Sequence, residues 1–262
     1  MTPVSDKMVL ATDLDGTFLG GDEEDRRSLY AWIERFRASI HLIFVTGRDL
    51  PFIRSLCAAG EAPWPDHVVG DVGTTLATVD RAASNIRPDE TLEREIAALW
   101  GDGVTEIAAE LDAAPGLSPQ DGPFRYRMSY HYDPGAFDPA CVSVIEAAGF
   151  DCLISDNRFL DVLPRGVSKG PSLLRLIGAL AIERERVLVA GDTLNDLSMF
   201  ETGLKGVAVG NSETALVEHV RARSNVLLAR GHGAAGIAEA IDHFRLHHSP
   251  PTPARNLEET CS

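Results

Sequence analysis

A chain of 262 residues with 44% hydrophobic side chains can bury a sizeable core, as one large domain or two modest ones. Its formal charge of −15 repels nucleic-acid backbones and anionic membrane surfaces, so neither is expected as a partner, and an anionic substrate needs a local cluster of Arg, Lys or metal. Cys57, Cys141, Cys152 and Cys261 form no close metal-type pair and no disulfide framework, which fits a reducing cytoplasm.

In chain order, the first apolar run, Met8 to Thr12, is too short for a secretory leader or a membrane span and is cut off by Asp13. Similar short runs follow at Leu42 to Val45, Val68-Val69, Val187 to Ala190 and Val207 to Val209, nearly all ended by Gly, Asp or Thr, and they read as buried parallel strands. Segments of helical spacing lie between them: Glu23 to Ala38, Pro171 to Ala181 and Glu213 to Arg221. This alternation predicts an α/β fold with a doubly wound parallel sheet, Rossmann-like, whose ligand site lies beyond the strand ends at Asp13, Thr46, Gly70 and Asp192.

The middle of the chain breaks the pattern. A helix over Thr91 to Leu111, a Pro/Gly-rich bend, an alternating run Phe124 to His131, a helix over Pro139 to Ala148 and short strands to Leu163 predict an inserted smaller α+β layer. The expected division is a discontinuous core of residues 1–78 and 164–248, a cap of 79–163, and a disordered tail of 249–262 carrying Pro250, Pro251 and Pro253.

Four elements carry chemistry. In Asp13-Leu14-Asp15-Gly16-Thr17 two carboxylates leave a strand end together, one able to act as a nucleophile toward phosphorus and the other to give and take a proton, with a hard cation, Mg2+, offsetting repulsion. The bland reading is an Asp-rich cap or turn. Val45-Thr46-Gly47-Arg48 offers a hydroxyl and backbone N–H groups to phosphate oxygens, though Thr46 could equally cap the next helix. Lys169 in Ser168-Lys169-Gly170 could bring a positive charge to nucleophile and phosphate, against the ordinary fate of a lone lysine at the surface. Gly191-Asp192-Thr193-Leu194-Asn195-Asp196 offers a metal ligand in Asp192 with Asn195 and Asp196 one turn on, or simply a capped helix.

These elements in this order resemble the haloacid dehalogenase superfamily of phosphohydrolases over essentially the whole chain, and the insertion between Thr46 and Lys169 matches its branch with a large α/β cap. Within that branch the chain is similar to the sucrose-phosphate phosphatase group at Met128 to Pro134, at Asp161-Val162-Leu163-Pro164 with Lys169-Gly170, and at Gly233 to Ile237. The resemblance implies a magnesium-dependent phosphatase acting on a phosphorylated disaccharide or related glycoside, such as sucrose phosphate or mannosylfructose phosphate, through an aspartyl phosphate on Asp13. Asp15 would be the acid and base, Asp13, Asp15 (by its carbonyl), Asp192 and Asp196 the metal ligands, and Thr46, Gly47, Lys169 and Asn195 the phosphate contacts. Thr74-Thr75 stand where an acidic sugar contact is expected after Val72-Gly73. Sugar contacts are therefore sought at Arg48, Thr74, Thr75, Arg127, Ser129 and His131, and next at the Ser155 to Arg158 turn.

Other readings compete. A sugar phosphomutase shares this core and the acyl-phosphate step, and a non-catalytic sugar-phosphate-binding domain would show a lost nucleophile or ligand. Gly166-Val167-Ser168-Lys169-Gly170 matches an esterase elbow with Asp196 and His232 following, but Pro164 and Arg165 interrupt the strand it needs. Gly231 to Gly236 matches G-x-G-x-x-G with too little chain after it for a dinucleotide-binding unit.

Overall fold

The computed structural model describes residues 7–155 and 157–252. Strand β1 (Met8–Thr12) is buried at every position and runs beside β2 (Ile40–Val45) and β10 (Val187–Gly191), parallel to both. On one side the sheet continues through β11 (Lys205–Ala208) and β12 (Val226–Leu228). On the other it continues through β3 (His67–Gly70), then β4 (Thr75–Asp80) and β5 (Asn85–Pro88), which reverse direction. The order is β12-β11-β10-β1-β2-β3-β4-β5. The sheet thus extends to Pro88, and the change of layer follows it rather than residue 78, because β4 and β5 form a hairpin on β3 before the chain departs.

Helices cover both faces, as the continuous apolar strands require. One face packs residues of α1 (Glu23–Arg35), α2 (Leu50–Ala58) and α9 (Ala234–His243); the other packs α6 (Lys169–Ala179), α7 (Leu197–Phe200) and α8 (Thr214–Val220). A second, antiparallel sheet of order β6-β7-β9-β8 comprises β6 (Leu117–Pro119), β7 (Met128–Tyr132), β8 (Phe150–Ser155) and β9 (Phe159–Pro164). Its own apolar core includes residues of α4 (Val104–Asp112) and α5 (Ala140–Ala147). Helix α3 (Glu90–Trp100) spans the two layers, with Ile96 in the large core and Trp100 against the small one.

Two elements differ from expectation for local reasons. The single helix over 91–111 divides at Gly101, whose φ of +50 caps α3 and releases the chain before α4. The strand over 124–131 starts only at Met128, because Arg125 and Arg127 are drawn out of the pleat by Glu93, Asp71 and Asp161. The tail also begins later than residue 249: the Trp32 indole donates to the Ser249 carbonyl at 2.7 Å, the Ser28 hydroxyl to that of Thr252, and Pro251 is buried. Residues 253–262 lie outside the described residues. Among the described residues no helix is long and apolar enough to cross a membrane.

Candidate active site

The C-terminal ends of β1 and β10, paired Ala11 to Val189, bring together residues separated by most of the chain. Asp13 follows β1 with its N–H donating to the Ala190 carbonyl at 2.9 Å. Asp15 (φ −68, ψ 126) and Gly16 (φ 75, ψ −24) then make a type II turn, which needs a residue at positive φ in second place. Glycine is required twice over, since a Cβ at Gly16 would lie 2.1 Å from Oδ2 of Asp192. The turn directs Thr17 back to donate to Asp192 Oδ1 at 2.7 Å.

Lys169, the first residue of α6, is wholly buried and gives its three N–H bonds to Asp13 Oδ1 (2.7 Å), Asn195 Oδ1 (2.8 Å) and Asp196 Oδ1 (2.6 Å). Asp196 uses its other oxygen to accept the Asp192 and Thr193 N–H groups, at 2.9 and 3.1 Å, and so fixes the turn after β10. Among the described residues these bonds leave Oδ2 of Asp13 and of Asp192 uncommitted.

The electrostatics follow from this arrangement. Burial pushes the Asp13 carboxyl well above the usual carboxylate range; Lys169 pulls it back and Asp196 adds to the rise. Burial likewise raises Asp192 to about 7, opposed by the Thr17 hydrogen bond and reinforced by Asp196. Burial alone would lower Lys169, but the charges of Asp13 and Asp196 outweigh it and hold the ammonium protonated above its ordinary range. One buried cation therefore faces three buried carboxylates. Asp13, Asp192 and Asp196 each offer an oxygen within 4.8 Å of the others, an all-oxygen, charge-excess donor set that suits a hard divalent cation such as magnesium. The Asp15 carboxylate stands apart in a two-pronged pair with Arg48 (Nε to Oδ2 2.8 Å, NH2 to Oδ1 2.9 Å), whose guanidinium lies over the Phe52 ring.

Above these groups a cavity of about 450 Å³, within the range of small-molecule sites, opens between the two sheets. Asp13, Asp15, Gly47, Arg48, Val72 and Asn195 line its lower side; Gln120, Leu153, Ser155, Arg158 and Phe159 line its upper side, with Arg127 and Asp161 between. A larger hollow of about 730 Å³ lies elsewhere, between α1 and α9, and holds His232. His232 is therefore not brought to Ser168 and Asp196, which removes the esterase arrangement.

Several residues expected at the sugar lie elsewhere. Thr74 and Thr75 are buried and do not line this cavity, their hydroxyls donating to the Asp71 carbonyl (2.9 Å) and carboxylate (2.7 Å). Ser129 is likewise spent on Asp161. His131 is exposed, and its ladder partner Phe159 takes the cavity wall instead. Thr46 is buried with Oγ1 accepting the Arg48 N–H at 3.1 Å, which leaves its own O–H to donate. No local sequence pattern marks Gln120 or Phe159, because only the docking of the upper sheet gives them a role. Asp161, however, opens the Asp161-Val162-Leu163-Pro164 segment, where an acid inside a buried strand is itself a signal.

The sheet order, the inserted second sheet and the acid cluster at the ends of β1 and β10 define a phosphatase fold of the haloacid dehalogenase type with an α/β cap. The sequence profile of the Sucrose-6F-phosphate phosphohydrolase family matches residues 6–245, so the chain belongs to that family of sugar-phosphate phosphatases. Among its relatives, the Mannosylfructose-phosphate phosphatase of Agrobacterium fabrum is 30% identical over 91% of this chain and 97% of its own. A Glucosylglycerol-phosphate synthase of Pseudomonas anguilliseptica is 44% identical over 90% of this chain, which spans only 31% of that synthase's length. The sucrose-phosphatase of Synechocystis sp. PCC6803, solved with sucrose and phosphate, aligns with a TM-score of 0.77 at 27% identity, covering 91% of this chain and 98% of the other.

Proposed function

We propose that this chain hydrolyses the phosphate monoester of a small glycoside, with Asp13 as nucleophile. The observation that carries the reading is the buried Lys169 ammonium, 2.7 Å from Asp13, whose carboxylate lines a cavity roofed by a second sheet. In the first step a carboxylate oxygen of Asp13 bonds to phosphorus as the phosphorus–oxygen bond to the sugar breaks, and Asp15 gives the departing oxygen its proton. In the second, Asp15 takes a proton from water, which attacks the phosphorus and returns Asp13 as a carboxylate. Arg48, through its two-pronged pair with the ionised Asp15, orients that carboxylate to take the proton from water in the second step. Lys169, Asn195 and the backbone at Gly47 would hold the phosphoryl oxygens. Magnesium, with Asp13 and Asp192 as ligands and Asp196 behind them, would offset charge on those oxygens.

The relatives' names supply the candidate sugars: glucosylglycerol phosphate, mannosylfructose phosphate and sucrose phosphate. The cavity of about 450 Å³ has room for any of them, and its upper wall offers Gln120, Ser155 and Arg158 to sugar hydroxyls. The test is phosphate release from these three esters with magnesium, against isomer formation, which a mutase would give instead. Phosphate release that disappears with chelator and in Asp13→Asn supports the reading, and release that survives either one overturns it.

A further inference from the structure

The residues between β6 and β7 do not simply lead into the cap sheet. Arg127 is buried, with its guanidinium 4.2 Å from the Phe124 ring centroid and three polar groups around it from separate parts of the chain. NH1 donates to Asp161 Oδ1 of the cap strand β9 at 3.2 Å. NH2 donates to the Gly47 carbonyl at 3.2 Å and lies 3.2 Å from Asp71 Oδ1, both in the large sheet's loops.

Asp71 opens a turn that is itself held under strain. Asp71 (φ 51) and Val72 (φ 59) both sit in the left-handed region, which a β-branched residue such as valine rarely adopts, and Gly73 (φ 104) follows. The turn is fixed by bonds to the same loop that Arg127 touches: the Asp71 N–H donates to the Arg48 carbonyl and the Val72 N–H to that of Thr46, each at 3.1 Å. On its other side the Ser172 hydroxyl of α6 donates to the Gly73 carbonyl at 2.6 Å, and a Cβ on Gly73 would strike the Ser168–Lys169 backbone. One strained turn therefore braces both the Thr46–Arg48 loop and the start of α6, and one arginine ties that brace to the cap.

We propose that Arg127 is a positioning residue that couples cap closure to the phosphate-holding loop: only with the cap docked can its guanidinium join Asp161 to Asp71 and the Gly47 carbonyl and set that loop. Its NH1 and NH2 groups are turned to protein acceptors rather than left for a sugar, and its buried Nε makes no hydrogen bond. A lysine cannot replace it, because one ammonium cannot span acceptors on both sheets as a planar fork does.

The kinetic arm of the test rests on the phosphatase reading; the exchange arm does not. In hydrogen exchange without substrate, Arg127→Met, which keeps most of the side chain against Phe124, should speed exchange in peptides covering Thr46–Arg48 and Met128–Tyr132 while leaving β1 and β10 unchanged. In kinetics, Arg127→Met and Arg127→Lys should lower kcat by about tenfold to a hundredfold on a glycoside phosphate and on p-nitrophenyl phosphate alike, the scale of a misaligned reacting group. Arg127→Ala should be partly rescued by guanidinium ion. The proposal is overturned if exchange in the Thr46–Arg48 peptide is unchanged in Arg127→Met, or if the loss falls on the glycoside phosphate alone. If wild type hydrolyses neither ester, the phosphatase reading fails and the exchange result decides the coupling by itself.

Discussion

Lys169 carries a charge that nothing else in the described site can replace. It is enclosed by two carboxylates and an amide oxygen, so Lys169→Met leaves Asp13 and Asp196 buried beside each other without their cation. Breaking a buried pair from one side costs about 3–5 kcal/mol. Urea unfolding of metal-free Lys169→Met should show a loss of that order together with loss of phosphatase activity; unchanged stability would mean that the carboxylates relax or protonate without strain. A second buried group, remote from this site, gives the molecule a pH dependence. His41 hydrogen-bonds His67 ring to ring at 3.0 Å, and burial depresses it to about 4, against the pull of Asp66 and with the charges of His67, Lys7 and Arg37 adding to the fall. Below about 6.5 the unfolded chain binds a proton that folded His41 refuses, so its contribution to stability is present above that pH and lost as pH falls toward 4. The difference in unfolding free energy between wild type and His41→Gln should therefore shrink from about pH 7 to about pH 5. A difference that grows over this window contradicts the assignment.

The turn after β1 shows how an element converts chain direction into chemistry. Gly16→Ala forces a Cβ into the Asp192 carboxylate and a side chain into positive φ, so it should disrupt the Thr17–Asp192 bond and move Asp192 from its place beside Asp13. The expected result is a loss of activity of at least about a hundredfold with magnesium affinity reduced in parallel, as titration calorimetry would show. Activity near wild type would mean that the turn can shift as a unit. Turns of this kind are legible in sequence, because apolar runs ending in Asp-x-Asp-Gly or Gly-Asp mark strand ends from local chemistry alone. The start of β7 was not legible in that way. Alternation of Phe124 through His131 describes a strand, yet Arg125 and Arg127 answer to Glu93 and Asp71 on other elements, and period two cannot report such partners. For the same reason Thr74 and Thr75, placed by sequence near a sugar, turn inward to steady a strained turn.

At the scale of the molecule, recognition depends on how one sheet is set over another, which no local pattern encodes. Arg158 and Gln120 reach the cavity only because the cap docks as it does, and each is a donor on the wall opposite Asp13. Arg158→Ala and Gln120→Ala should each reduce kcat/KM for the preferred glycoside phosphate by about 1–3 kcal/mol, and leave p-nitrophenyl phosphate within about twofold. Equal losses on both esters would place sugar recognition elsewhere. The sheet order carries a further consequence, in time rather than in space. Strand β1 precedes the whole cap in the chain and its neighbour β10 follows it, and the Thr17–Asp192 bond closes a separation of 175 residues. Contacts of such range form slowly, since the intervening chain must first be ordered. The cap can acquire its helices and hairpins while Asp13 still waits for Asp192 and Lys169. Refolding from urea should accordingly recover far-ultraviolet circular dichroism ahead of phosphatase activity, so that the return of turnover marks the late arrival of β10 beside β1.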